Sequence, residues 1–374
     1  MTRTLTYIGD ANDIHTWSGI PYHFLQAGRR ANFLDCGWTV RPQLLRKQRV
    51  YWNLREFLAT GRRGGFQYSS EFLQRLFNQI PPGQRDGEII SHFPLFPPAG
   101  SVRGPVSFYI DLTLHQLFTD YGFDKIVGSR IVSDALSREA DAYHSAERIV
   151  CMSRWTARVA MERYKLAADR VHVVPAGANL DETRMTDLRE DLALPNLQPL
   201  RLGFLGKDFR RKNLAFVLDV AGEIQARGYR VEVAAAGFDP KKGPRHPLLR
   251  SFGFLDKQHR FESFTQFIRS CHFGCLFSKA EGYGISNREF IRLGIPVITW
   301  DVGGMAETVP EGLGHVFSAG SAASAVADWL EHMLADPARY LALRDRVRAR
   351  AAEVSWDRTI ERLQAIWAGS HETK

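Results

Sequence analysis

Ser278-Lys279-Ala280-Glu281-Gly282-Tyr283-Gly284-Ile285-Ser286-Asn287-Arg288-Glu289 is the stretch on which the reading of this chain turns. An apolar run ends at Ser278, two glycines permit a tight turn, and a helical pattern follows, so a strand passes through a turn into a helix N-terminus. At the carboxyl edge of a parallel sheet, such a turn offers unpaired backbone N–H groups and the positive end of a helix dipole to a phosphate. Gly282 and Gly284 let the backbone approach a ligand closely. Glu289, eight positions after Glu281, falls about two turns down the helix, where it can accept hydrogen bonds from ribose hydroxyls while Glu281 faces the sugar. Two unrelated glutamates on a surface helix are the plain alternative.

Around this stretch the chain alternates strand-like and helix-like runs. Downstream of residue 200 the order is a strand at Arg201–Leu205, a helix at Asn213–Arg227, a strand at Arg230–Ala236, a helix at Phe261–Cys271, a strand at Phe273–Ser278, a helix at Arg288–Leu293 and a strand at Pro296–Trp300. Upstream, strands are expected at Leu5–Gly9, Ala31–Asp35, Glu88–His92, Val106–Asp111, Arg148–Ser153 and Val171–Val174. Such alternation builds doubly wound, mostly parallel sheets. Between the two series, Asp187–Leu200 reads as a linker. At 374 residues, two domains of ordinary size are expected.

Two further turns carry chemistry. Gly206-Lys207-Asp208-Phe209-Arg210-Arg211-Lys212-Asn213 crowds four cations between a strand and a helix start, an unfavourable placement unless an anion such as a diphosphate sits among them. Ser18-Gly19-Ile20-Pro21 follows the first strand and marks another helix start, with proline in its first turn. No Gly-x-Gly-x-x-Gly spacing occurs there, which argues against a nicotinamide enzyme. Gly303-Gly304 makes a further glycine-to-helix turn.

Taken in order, Ser18-Gly19-Ile20-Pro21, Val173 to Asn179, Gly206-Lys207 with Arg211-Lys212-Asn213, Glu281-Gly282-Tyr283-Gly284 with Glu289, and Gly294 to Glu307 resemble family four of the retaining glycosyltransferases, over essentially the whole chain. The resemblance implies an α/β protein of the GT-B class, two Rossmann-like doubly wound domains facing across a cleft. Residues 1–190 would bind the acceptor, residues 200–355 the nucleotide sugar, and residues 356–374 would form a helix crossing back to the first domain. Lys207 and Lys212 match the basic pair on the donor phosphates, with Arg211 beside them. Gly19, with Ser18, matches the glycine whose N–H approaches the diphosphate. Glu289 matches the ribose-binding acid and Glu281 the acid near the transferred sugar, with Gly282, Tyr283, Gly284 and Ile285 shaping the donor turn. The family's histidine at the end of an N-domain strand has no clear counterpart, which leaves Asp111 and His115 as alternatives for the position beside the sugar. Lys207 stands where arginine is common, and Asn213 replaces the usual glycine.

The implied reaction is retaining transfer of a hexosyl group from a nucleoside-diphosphate sugar to a hydroxyl of a saccharide or lipid-linked acceptor, in the making of a surface polysaccharide, lipopolysaccharide or glycolipid. No metal is expected, and the chain has no Asp-x-Asp motif. A nucleotide-sugar epimerase of the same fold and a non-catalytic, membrane-peripheral binding protein are the other classes. Sugar, base and acceptor stay open.

Composition bounds these readings. Apolar content of 44% with 24% charged residues describes a globular protein. Thr4 to Ile8 reads as a strand rather than a leader, so a cytoplasmic protein is expected, with a peripheral association at the inner membrane face as an extension. Cys36, Cys151, Cys271 and Cys275 are too scattered for a disulfide framework, and Cys271, His272 and Cys275 read as core rather than as zinc ligands. The net charge of +8 favours an anionic partner. Much of it lies in Arg41–Arg63, where Arg46, Lys47, Arg49, Arg55, Arg62 and Arg63 interleave with Leu44, Leu45, Tyr51, Trp52, Leu54, Phe57 and Leu58. That basic amphipathic helix either packs on its own domain with its charges in water or docks on anionic lipid or a lipid-linked acceptor. Nucleic acid is not expected, since no recognised nucleic-acid module accompanies the charge. Trp38, Tyr51 and Trp52 fit a role with saccharide or glycolipid.

Overall fold

The computed structural model describes residues 2–185 and 196–369. The chain divides into two compact units, Met1–Pro175 with Thr359–Lys374, and Ala176–Arg358.

Unit 1 holds six parallel strands: β1 (Arg3–Thr6), β2 (Cys36–Gly37), β3 (Glu88–Ser91), β4 (Val106–Ile110), β5 (Ile149–Cys151) and β6 (Val171–Val173). They lie in the order β2-β1-β3-β4-β5-β6, so the direction of winding reverses between β1 and β3. Central strands such as Glu88-Ile89-Ile90-Ser91 are buried along their whole length, as a parallel sheet covered on both faces requires. The strand expected at Ala31–Asp35 is displaced to Cys36–Gly37. Ala31 ends the helix Ile20–Arg30, Asn32 turns through φ 53°, and the N–H groups of Phe33 and Leu34 bond back to Gly28, so pairing with β1 starts only afterwards.

Unit 2 repeats the theme with β7 (Leu200–Leu205), β8 (Val231–Ala236), β9 (Leu249–Ser251), β10 (Phe273–Leu276), β11 (Val297–Trp300) and β12 (Gly314–Phe317). Their order is β12-β11-β10-β7-β8-β9, all parallel, with the reversal between β7 and β10. One apolar core runs through the unit, from Leu202 and Phe204 on β7 to Ile298 on β11 and Val347 on the helix Pro337–Arg350. Burying a side chain of that size contributes about 1.5–3 kcal/mol.

The expected domain boundary at 190 moves back to 175. Ala178 N–H bonds to Val354 O, Trp356 Nε1 donates to Asn179 Oδ1, and Leu180 and Met185 enter the unit 2 core, which ties the segment to that unit. A side chain at Gly177 would meet the Trp356 backbone nitrogen at 2.2 Å. The linker expected at Asp187–Leu200 lies, as far as Pro195, outside the described residues. The helix Trp356–Trp367 starts in unit 2 and belongs to unit 1 from Thr359 onward. There Thr359 donates to Pro175 O, Gln364 to Ala31 O and Trp367 Nε1 to Glu88.

Candidate active site

In open α/β sheets, ligands bind beyond the carboxyl ends of the strands where the strand order reverses. In unit 2 that place lies between β7 and β10, and the two loops that leave those strands are the ones whose sequence reads as phosphate- and sugar-binding. Lys279 N–H bonds to Arg211 O at 2.9 Å, which joins them. Lys212 reaches across the end of β7 because residue 206 is glycine: a Cβ there would stand 2.2 Å from Lys212 Cδ.

Glu281 gathers the cations. Its Oε2 accepts from Arg211 at 3.0 Å and from Ser278 Oγ at 3.2 Å, and Lys212 Nζ lies 3.3 Å away. Burial pushes this carboxyl's pKa up, but the charges and hydrogen bonds of Lys212 and Arg211 outweigh it and hold the group below its ordinary range. Arg211 also donates to Ala280 O at 2.6 Å. Lys207 is exposed, its ammonium 5.5 Å from the centre of the Phe254 ring.

The turn then enters the helix Ile285–Arg292, with Gly284 at φ 82° as its cap. Ile285 begins that helix beside Gly282 and Gly284, both buried. Tyr283 is buried and its hydroxyl donates to Ala176 O at 3.0 Å, so its side chain braces the turn. Ser286, in the first turn of the helix, buries an Oγ that has no hydrogen-bond partner. Glu289 is 2% exposed and paired with Lys257, whose ammonium also donates to Asn179 O. Burial raises the Glu289 pKa despite the opposing charges of Lys257 and Lys212. Lys212 thus acts on both glutamates.

In unit 1 the reversal lies between β1 and β3. Trp17, Ser18 and Gly19, after β1, take φ of 44°, 59° and 87° in succession before the helix Ile20–Arg30. Left-handed backbone costs a non-glycine residue about 1–2 kcal/mol, and such strain gathers at working sites. After β3 stands His92, 4% exposed, with Nδ1 2.5 Å from Tyr109 O and Nε2 without a hydrogen-bond partner. Its pKa is lowered by burial, against the pull of Asp111 and the Tyr109 carbonyl. A neutral ring donating from Nδ1 leaves Nε2 as an acceptor. Asp111, which follows β4, also raises the pKa of Tyr7 in addition to the effect of burial, and the Tyr7 and His92 rings are 5.8 Å apart.

Asp111 therefore belongs to a cluster with His92 and Tyr7. His115, in the first turn of the helix Leu114–Thr119, has Arg163 and Asp120 as its nearby charges instead, so the structure does not bring it into that cluster. His92, Tyr7 and Lys257 are not singled out by sequence reading. His92 could have been, as the last residue of the strand read at Glu88–His92. Lys257 follows β9, an edge strand of three residues whose pattern is too short to read. Cys271 and Cys275 are buried thiols, and His272 Nδ1 accepts from Arg201 N–H.

Residues 199–336, which span all six unit 2 strands and part of the helical segment beyond them, match the glycosyl transferases group 1 family model. A D-inositol 3-phosphate glycosyltransferase of Nocardia farcinica is 30% identical over 243 residues, covering 59% of this chain and 53% of that one. The chain spans about half the length of that curated relative. A sucrose-phosphate synthase of Thermosynechococcus elongatus superposes with a TM-score of 0.68 at 15% identity, covering 99% of this chain and 98% of the other. Anabaena HepE, solved with UDP and glucose, gives 0.61 at 14% identity over 99% and 100% of the two chains. At those identities the likeness shows the fold, which is GT-B. The match to the group 1 glycosyltransferases thus covers the strands that carry the candidate site.

Proposed function

We propose that this protein moves a hexosyl group from a nucleoside-diphosphate sugar to an acceptor hydroxyl, with retention at the anomeric carbon. The observation that carries this is Lys212, which joins Arg211 at Glu281 and acts on Glu289 at the strand-order reversal of unit 2. Arg211, Lys212 and the helix N-terminus at Ile285, with Lys207 in reserve, would take up negative charge as the sugar–phosphate bond breaks. Preorganised charge of that kind stabilises the leaving group without reorganisation. Ser286 Oγ would donate to the diphosphate, and Glu289, paired with Lys257, would accept from the ribose. Glu281 holds both cations in place and faces the sugar.

In unit 1, His92 Nε2 and Asp111 are the groups fit to accept a proton from an acceptor hydroxyl. The names of the relatives favour a phosphorylated polyol or sugar as that acceptor. A saccharide or lipid-linked acceptor for a surface polymer is a second reading, supported by the exposed basic helix of unit 1. Retention rests on the family resemblance, and the cations assigned to the diphosphate make a metal-free reaction part of the proposal.

Lys212→Ala should keep the circular dichroism spectrum of the folded protein and lower kcat/KM by about 10²-fold or more, the range for removing one such donor. Normal transferase turnover in that variant would show the phosphate site to be misplaced. Conversion of the sugar nucleotide without any acceptor would assign an epimerase instead.

A further inference from the structure

The helix Arg46–Thr60 turns its apolar side outward. Its inner side is narrow: Trp52 is buried against Phe66, at 5.8 Å between ring centres, and Leu45 is buried just before the helix. Val50, Leu54, Phe57 and Leu58 follow the spacing of one helical stripe, with Tyr51 at its border. Leu54 is 56%, Tyr51 71% and Leu58 77% exposed. Leu44, before the helix, is exposed too. Six of the ten exposed large apolar side chains among the described residues fall between positions 44 and 58, so this is a patch and not scatter.

The patch is ringed by cations. From Arg41 to Arg63 the sequence places seven arginines and lysines against one carboxylate, Glu56. Arg46, Lys47, Arg49, Arg55, Arg62 and Arg63 are exposed. Arg63 lies over the Phe57 ring at 4.5 Å, and Arg62 donates to Lys125 O, next to the exposed Ile126. The expectation that this helix packs its apolar side on its own domain is therefore corrected. Trp38 and Trp52 are core, and Tyr51 alone of the three aromatic residues is free to meet a partner.

We infer that this face docks unit 1 on an anionic phospholipid surface. Apolar side chains flanked by guanidinium and ammonium groups match the two layers of a membrane interface, acyl chains below and phosphates above. Against a second copy of the same face, seven cations would meet seven. The helix, about 22 Å long, would lie in the interface plane. Among the described residues, no helix is long and apolar enough to cross a membrane.

The full-length protein should co-sediment with vesicles of phosphatidylglycerol mixed with phosphatidylcholine and stay in the supernatant with phosphatidylcholine alone. Leu54→Ser with Leu58→Ser should reduce partitioning about tenfold or more, from the apolar area withheld. Because both side chains are exposed, melting should be unchanged. Lys47→Glu with Arg49→Glu should reduce binding as well and weaken its dependence on salt. Absence of binding to the anionic vesicles, equal binding to both compositions, or double variants that partition like the parent would overturn the inference. So would light scattering that shows a dimer which the leucine variants convert to monomer. None of these measurements reads sugar transfer, so their failure leaves the transferase proposal standing.

Discussion

Asn213 shows how one residue carries the demands of a turn. It caps the helix Leu214–Ala226 at φ 61° and ψ 48°, a backbone region that favours glycine and that asparagine tolerates better than other side chains. Its occurrence where the family uses glycine is thus a conservative exchange of backbone conformation. Asn213→Gly should melt like the parent, whereas Asn213→Ala should lose about 1 kcal/mol, measurable by urea denaturation. At the paired glutamates the roles can be separated by ligand. Glu289→Ala should weaken a nucleoside diphosphate about tenfold or more while leaving inorganic pyrophosphate nearly unaffected, since the bonds proposed for Glu289 are to ribose. Equal weakening of both ligands in calorimetric titrations would remove Glu289 from the ribose.

Among the elements, the short helix Leu114–Thr119 has a support that no motif announces. Glu139, fully buried on the helix Ser129–Ser145, accepts from Leu114 N–H at 2.7 Å, from the Tyr143 hydroxyl at 2.9 Å, and from the Tyr164 hydroxyl. The carboxylate thereby anchors the first turn that follows Asp111. Burial pushes its pKa up to about 7, even though the hydrogen bonds oppose the shift. A carboxyl with a raised folded-state pKa binds its proton more tightly in the folded chain, so its contribution to stability is complete below about pH 4.3 and is lost as the pH rises through about 7. The change is roughly 4 kcal/mol. Glu139→Gln cannot titrate. The stability difference between parent and variant should therefore drift in that window and level off above it, as read from denaturation curves along a pH series. A constant difference would mean that the carboxyl titrates normally.

For the whole molecule, two parallel sheets each reverse their strand order once, and the residues proposed for chemistry gather at those reversals. A nucleoside diphosphate that binds unit 2 at about 100 times its Kd should stabilise the protein by about 2.7 kcal/mol, which corresponds to a rise in Tm of roughly 5–10 °C. A panel of bases read by thermal shift should show one clear maximum, and a flat panel would count against the site.

What the sequence determined by itself was local and periodic. The β-α alternation, the Gly206 and Gly282–Gly284 turns, the cations at 207–212 and the glutamates at 281 and 289 were legible, because turn chemistry and buried parallel strands leave their mark in consecutive residues. Central strands such as Phe273–Leu276 were readable for that reason, whereas the edge strands Leu249–Ser251 and Gly314–Phe317 were not, being short and partly exposed. Only tertiary structure decided strand order, the assignment of residues 176–185 to the second unit, the choice of Asp111 over His115 as the neighbour of His92, and the outward turn of Leu54 and Leu58. Each of these depends on which distant residue a side chain meets, and contacts across 17 residues, as from His92 to Tyr109, or 177, as from Asn179 to Trp356, have no local signature.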